Sequence, residues 1–431
     1  MDEEDEMSIS RLTPPISILV PAYNEEKIIS QNIQSLFMLN YPEYEVIVIN
    51  DGSHDRTLDV LQKDFDLFCV NDLMRENLKT KRVNGVYRSV LYPNLIVVDK
   101  ENGGKSDALN AGINISSYPY FCSIDADSIL EADSLIKTMW PFLNGEENVI
   151  ACGGIVRIAN GCSIENGQIV KIGLPKSKLA LFQVIEYLRS FLMGRVGLSA
   201  INSLLIISGA FGVFRKREII HLGGYQTKTV GEDMELVVRL QKYLYENKID
   251  GKVLFLPHPI CWTEAPESLK ILYRQRKRWH IGLLQTILIH RHTLFNPKYK
   301  TMGLIVMPYF LIVELLGPTF EIIGVFFVAI GLYFNIVNIP FAVLYITFTL
   351  IFGIFLSIGA VLLEEYNFRR YPRIRDLITL VFFSIIENLG YRQLNAIWKT
   401  WAFILFMKKD TSWGEMNRKG FSSGQKKGVK M

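Results

Sequence analysis

The residues best placed to do chemistry are Asp125 and Asp127, which close the run FCSIDAD. Strand side chains two apart share a face, so both carboxylates aim at one point past a strand end. Strand ends are where open α/β sheets take their ligands. Two carboxylates at one point repel unless a proton or a cation sits between them. A hard divalent cation carrying substrate phosphates meets that need. The plainer reading is a solvated turn that opens a helix at Ser128.

Four more clusters follow predicted elements in the same way, and a further motif, QRKRW, lies downstream of them. PAYNEE sets Tyr23 and Glu25 just beyond a first strand, and NDGS ends a second strand in Asp51. GGKSDALN opens a helix at a glycine turn and presents Lys105; free N–H groups beside a lysine suit a diphosphate. GED places Glu232 and Asp233 in a first helical turn, where one of them can act as general base toward an attacking hydroxyl. The helix dipole alone also favours acids there. QRKRW supplies Gln275 and Arg278 on one helix face, with Trp279 beside them. Amide, guanidinium and aromatic face together can hold a sugar. An interfacial aromatic with basic neighbours has the same pattern.

Apolar runs at 16–22, 46–51, 95–99 and 121–125 read as buried strands. Helical spacing separates them, with apolar residues at Ile28, Ile29, Ile33, Leu36 and Phe37 in the first interval. The alternation predicts a doubly wound sheet whose strand ends line one edge. Residues 64–93 carry no regular signal. Further on, a strand is expected over 148–158, a helix over 177–198, strand and glycine turn mixed over 204–215, and an amphipathic helix over 231–247. A strand at 252–257 and a long helix over 268–291 follow. That last helix has one basic and one apolar face, as interfacial helices do.

A net charge of +4 gives no electrostatic case for nucleic acid. The five cysteines, Cys69, Cys122, Cys152, Cys162 and Cys261, lack metal-site spacing and read as reduced thiols. The segment MDEEDEMSIS has neither a basic nor an apolar leader, so membrane insertion is expected of later segments. These begin near Met302. The first apolar stretch is interrupted at Glu314 and Gly317-Pro318 and runs to Asn335, and a crossing over 341–363 is clear. The arginine-rich loop around 369–375 should be cytoplasmic. Residues 376–408 carry Glu387, Tyr391, Arg392 and Gln393 between apolar halves, which suits a hairpin with both ends inside. The polar centre should face protein or a watery channel. Four crossings are expected, with two plus a re-entrant hairpin as the alternative.

The ordered set PAYNEE, VINDGS, GGKSDALNAG, DAD, GED and QRKRW resembles family-2 glycosyltransferases of the GT-A type. The last motif is similar to the QxxRW of processive members that make cellulose, chitin, hyaluronan and poly-N-acetylglucosamine. The resemblance implies a GT-A-type doubly wound mixed α/β sheet, interfacial helices and a C-terminal helical transmembrane region. It implies a disordered acidic tail over 1–13, a cytosolic catalytic domain over 14–265, an interfacial segment over 266–300, membrane helices over 301–410 and a basic tail over 411–431. The donor would be a nucleotide-sugar, a UDP-sugar above all. Asp51 and Lys105 would contact its nucleotide, with Tyr23 and Glu25 near the base and Pro21 and Ala126 in the same motifs. Asp125 and Asp127 would bind it with Mg²⁺ or Mn²⁺, and Asp127 would touch the metal. Asp233 would be the catalytic base, and Gln275, Arg278 and Trp279 would hold the acceptor. Gly231 stands where the family usually has Thr. The expected activity is inverting extension of a β-linked polysaccharide coupled to export through the plasma membrane, with export partner proteins possible. The rival is addition of a single sugar to a lipid-linked acceptor. A transporter or scaffold carrying an inactive sugar-nucleotide domain is a third reading, disfavoured by the intact DAD and GED.

Overall fold

The computed structural model describes residues 13–70, 76–144, 148–165, 167–371 and 373–408. The tails expected over 1–13 and 411–431 lie, Thr13 apart, outside them. The chain forms two compact units. Of the described residues, the first takes those through Lys171 and again Ser199–Glu264; the second takes Ile172–Leu198 and 265–408.

The first unit is built on one ten-stranded mixed sheet. In chain order its strands are β1 (Ile16–Ala22), β2 (Tyr44–Asp51), β3 (Leu67–Cys69), β4 (Val83–Ser89), β5 (Leu95–Lys100), β6 (Tyr120–Ile124), β7 (Ile129–Leu130) and β8 (Val149–Ile158). A separate hairpin of β9 (Ser163–Glu165) and β10 (Gln168–Lys171) precedes β11 (Phe211–Arg215) and β12 (Lys252–Thr263). The sheet order is β3-β4-β5-β2-β1-β6-β11-β8-β12-β7. β5, β2, β1 and β6 run parallel. These are the apolar runs visible in sequence. Ile18, Leu19, Ile47, Val48, Val97 and Phe121 are fully buried, as expected for strands covered on both faces.

Direction changes outside that core. β11 runs antiparallel to both β6 and β8, and β12 runs parallel to β8. β3 and β4 add an antiparallel edge from the stretch that gave no sequence signal. The helix Lys105–Ile115 lies close against the sheet: a Cβ on Gly112 would come within 3.0 Å of Ile49 and 3.1 Å of Leu19. All its residues except Lys105 are buried.

The second unit is helical. Helix Lys178–Tyr187 continues as a π-helical stretch, Leu188–Arg195. Helix Leu269–Ile289 is capped by Ser268, whose hydroxyl accepts the Ile271 N–H. Helices Met302–Leu315 and Gly317–Tyr333 meet at a 45° bend, at the Gly317-Pro318 interruption. Helix Ile339–Phe368, 30 residues long, exceeds the ~20 needed to cross a bilayer. Phe341, Leu344, Phe348, Ile351 and Phe355 on it are exposed, while Gly353, Ser357, Ala360, Val361 and Glu364 form its buried face. Small residues at helical spacing let neighbouring helices approach closely.

The 376–408 region is two helices, Ile374–Ile386 and Arg392–Met407, of 13 and 16 residues. Leu389 and Gly390 between them leave helical geometry, Gly390 at φ 116°. Each helix is shorter than a full crossing requires. Among the described residues, one helix is long and apolar enough to cross a membrane, and a second if the bent pair is one span.

Candidate active site

The ends of β1 and β2 are laced together by their loops. Asn24, at φ 57°, donates its N–H to Ser53 Oγ at 3.0 Å and accepts the His54 N–H at 2.8 Å. The Glu25 N–H donates to Thr57 Oγ1 at 2.9 Å, and the Glu26 N–H to Asp55 Oδ2 at 3.2 Å. Asp55 is held below the usual carboxylate range: burial opposes this, but hydrogen bonds from Thr57 and Glu26 outweigh it. The lacing leaves Tyr23 exposed at the rim, its ring edge-on to His54 at 6.1 Å. Pro21 sits half-buried within β1.

Asp51 has a different setting from the one its sequence position suggests. It is 3% exposed, and its carboxylate is bound within the protein. Lys100 Nζ donates to Oδ1 at 2.7 Å, the Gly103 N–H to Oδ1 at 3.0 Å, and the Gly104 N–H to Oδ2 at 2.7 Å. Lys100, fully buried, also pairs with Asp107 at 2.7 Å. One lysine thus ties the end of β2 to the first turn of helix Lys105–Ile115. Asp51 shapes the glycine turn that presents Lys105. Gly52 is required opposite: its φ is +65°, and a Cβ would lie 2.7 Å from the Asn102 backbone nitrogen.

Lys105 is the centre of the charged cluster. Its Nζ lies 2.6 Å from Asp125 Oδ1 and 3.2 Å from the Gly209 carbonyl. Burial alone would lower its pKa, but Asp125, Asp233 and Glu232 overcome this and push it up, so the ammonium stays charged. Gly209, just before β11, fixes the spacing. A Cβ there would lie 2.6 Å from Lys105 Nζ and 2.7 Å from Asp233 Oδ1. Lys105 and Asp233, from two separate helices, therefore meet at one glycine, and Asp125 joins them through Lys105. Asp127 is 3% exposed, and the Ala126 carbonyl between the two aspartates is held by the Asn32 side-chain amide.

Asp233 opens helix Glu232–Glu246 after Gly231. Its approach is fixed by Asn110, whose amide donates to the Tyr225 carbonyl at 2.9 Å and accepts the Tyr225 N–H at 2.7 Å. Arg239 pairs with Glu235 at 2.9 Å and donates to the Gly224 carbonyl at 2.6 Å. Lys100, Asn110 and Gly209 were not singled out from sequence. Asn110 sits inside GGKSDALN, but only long-range pairing reveals its partner.

QRKRW lies on helix Leu269–Ile289 of the second unit. Gln275 and Arg278 are half-buried and Trp279 is 41% exposed. Gln275 Oε1 is buried and finds no hydrogen-bond partner among the described residues. Such an oxygen costs about 1–3 kcal/mol unless something donates to it. Arg276, inside the basic run QRKRW, is a core residue, 2% exposed.

With this geometry in place, comparison identifies the class. The profile of glycosyl transferase family group 2 matches residues 120–358, more than half the chain, and that of glycosyl transferase family 2 matches residues 17–184. The chain belongs to the family-2 glycosyltransferases. A poly-β-1,6-N-acetyl-D-glucosamine synthase of Staphylococcus epidermidis is 29% identical over 299 residues, 69% of this chain and 60% of that relative. A synthase of the same name from Staphylococcus aureus is 29% identical over 307 residues, 70% of this chain and 62% of the relative. The chain thus spans about three fifths of the length of these curated relatives. A mannosyltransferase from Pyrobaculum calidifontis, solved with GDP-mannose and Mn²⁺, superposes with a TM-score of 0.52 at 17% identity, covering 88% of each chain. That likeness concerns the fold.

Proposed function

We propose that the protein transfers sugars from a UDP-sugar to a growing β-linked glycan by a single inverting displacement. The observation that carries this reading is the meeting of Lys105 and Asp233 at Gly209, with Asp125 paired to Lys105 at 2.6 Å. The poly-β-1,6-N-acetyl-D-glucosamine made by the staphylococcal relatives makes UDP-N-acetylglucosamine the first donor to try.

Asp233 takes the proton from an acceptor hydroxyl, which attacks the anomeric carbon from the face opposite the nucleotide. Lys105, charged and at a helix start, neutralises the departing diphosphate. Tyr23 and Glu25, at the rim after β1, lie toward the base with Pro21, and Asp51 acts by holding the turn under Lys105. Gln275, Arg278 and Trp279 grip the acceptor.

Asp125 and Asp127, with Ala126 between them, suit Mg²⁺ or Mn²⁺. Both offer hard oxygen ligands at the close of β6. Among the described residues no group of three or more His, Cys, Asp or Glu forms a complete cage. A pair of carboxylates fits a cation that shares its remaining positions with substrate phosphates. We assign the direct contact to Asp127. When bound, such a cation stabilises charge on the leaving diphosphate.

For the membrane part we favour two crossings, the bent pair and Ile339–Phe368, with the broken hairpin over 374–407 re-entrant. On this reading the catalytic unit is cytoplasmic and the glycan leaves through the bilayer. The decisive experiment is nucleoside diphosphate release by purified protein across a panel of nucleotide-sugars, with Asp233→Asn alongside. Asp233→Asn should lose transfer by about 10²–10⁴-fold, the usual contribution of a general base, yet still bind donor. Turnover near wild type in that variant removes Asp233 from the mechanism.

A further inference from the structure

The exposed indole of Trp279 is backed by a charged chain that reaches well outside QRKRW. The Arg276 guanidinium carbon lies 4.6 Å from the Trp279 ring centroid, one helical turn earlier on the same helix. Arg276 Nη2 donates to Glu186 Oε2 at 2.7 Å, and Tyr391 OH donates to the same oxygen at 3.0 Å. Glu186 comes from helix Lys178–Tyr187, and Tyr391 stands directly after the break at Leu389 and Gly390. Tyr391 is itself pinned by stacking on Phe182 at 4.8 Å, one turn before Glu186. The neighbouring Tyr187 ring lies 6.5 Å from Trp279.

We propose that Glu186 and Tyr391 are positioning residues for the acceptor site: they fix Arg276, and Arg276 fixes the plane of Trp279. A guanidinium over an indole is attractive but weakly directional on its own. An arginine that is also ion-paired has one place to sit. The indole then keeps one face on Arg276 and leaves the other open, which is what stacking a sugar ring requires. The arrangement also explains why Arg276 is buried in the middle of a basic run. It serves the aromatic rather than the solvent.

This inference rests on reading Trp279 as an acceptor contact, and the experiment separates the two. The full-length protein is assayed with a defined oligosaccharide acceptor, as wild type, Glu186→Gln, Glu186→Asp, Tyr391→Phe and Trp279→Ala. The emission of Trp279 is taken as the difference between each protein and its Trp279→Phe counterpart. Glu186→Gln should raise the acceptor KM about tenfold, below the ~100-fold that a 1 Å misplacement costs. Tyr391→Phe, which keeps the ion pair, should raise it less, and Glu186→Asp should restore most of the loss. Donor KM should stay within about twofold of wild type, because these residues act only through Trp279. Trp279 emission should shift in Glu186→Gln and Tyr391→Phe.

Unchanged acceptor KM together with unchanged emission overturns the proposal, as does an equal loss in donor and acceptor parameters. If Trp279→Ala leaves the acceptor KM untouched, the acceptor reading of Trp279 fails. The emission shift then still decides whether Glu186 and Tyr391 position the indole.

Discussion

Gly209→Ala tests the geometry of the charged cluster with one methyl group. Gly209 is not among the glycines held at positive φ, so its backbone accepts alanine and only its neighbours object. The new Cβ would lie 2.6 Å from Lys105 Nζ and 2.7 Å from Asp233 Oδ1, and nearer still to Oδ2. Non-bonded heavy atoms rest at about 3.5 Å, so Lys105 must retreat by roughly 0.9 Å and the Asp233 carboxylate by roughly 0.8–1.1 Å. Lys105 cannot retreat freely, because it is tied to Asp125 at 2.6 Å. A displacement near 1 Å in a reacting group costs on the order of 10²-fold in rate, or about 2.7 kcal/mol. The assay is nucleoside diphosphate release at saturating donor and acceptor, with donor affinity and thermal unfolding measured on the same preparation. We expect kcat to fall about 100-fold while the protein still folds and binds donor. A folded Gly209→Ala protein with kcat within about threefold of wild type would refute the claim that Asp233 and Lys105 act from these positions.

Three further outcomes follow from other parts of the molecule. Lys100→Met leaves Asp51 and Asp107 buried without their shared cation, and should cost about 3–5 kcal/mol in denaturant unfolding of the first unit; a loss under about 1 kcal/mol would show that the glycine-turn amides suffice for Asp51. His280 is pushed down to about 4 by burial and by Lys399, so folding keeps it neutral. Its contribution is complete above its ordinary value near 6.5 and fades as pH falls toward about 4, a loss of about 3 kcal/mol that His280→Leu should abolish in pH-dependent melts. Chelation should stop diphosphate release, and Mn²⁺ or Mg²⁺ should restore it; full activity in excess chelator would contradict the assignment of Asp125 and Asp127.

The parallel core was legible because β1, β2, β5 and β6 are short, branched apolar runs, and burial on both faces leaves that mark. Their ends point to Tyr23, Glu25, Asp51, Lys105 and Asp125 as candidates along one sheet edge, and of these the structure pairs Lys105 with Asp125. The edge was not legible: β3 and β4 are partly exposed, so no alternation stands out over 64–93. The reversal at β11 depends on pairing with residues about 90 positions away, which local pattern does not encode. Asp51 shows the same limit at a single side chain. Its place after a strand suggested a ligand, while its partner Lys100 lies 49 residues on. Glu186 is a half-buried acid with no motif around it, and only its pairing with Arg276 across 90 residues reveals it.

Helix Lys105–Ile115 carries a constraint on how this chain can change length. Lys105 at its start meets Asp125, and Asn110 in its second turn holds the segment that leads to Asp233. The donor-side lysine and the base are therefore spaced by the rise of a single helix. One residue inserted between them would turn Lys105 by roughly 100° and shift it about 1.5 Å relative to Asn110. No loop adjustment could recover that rotation. Descendants of this sequence should accept insertions in the loop around 76–82, and tolerate none between Lys105 and Asn110.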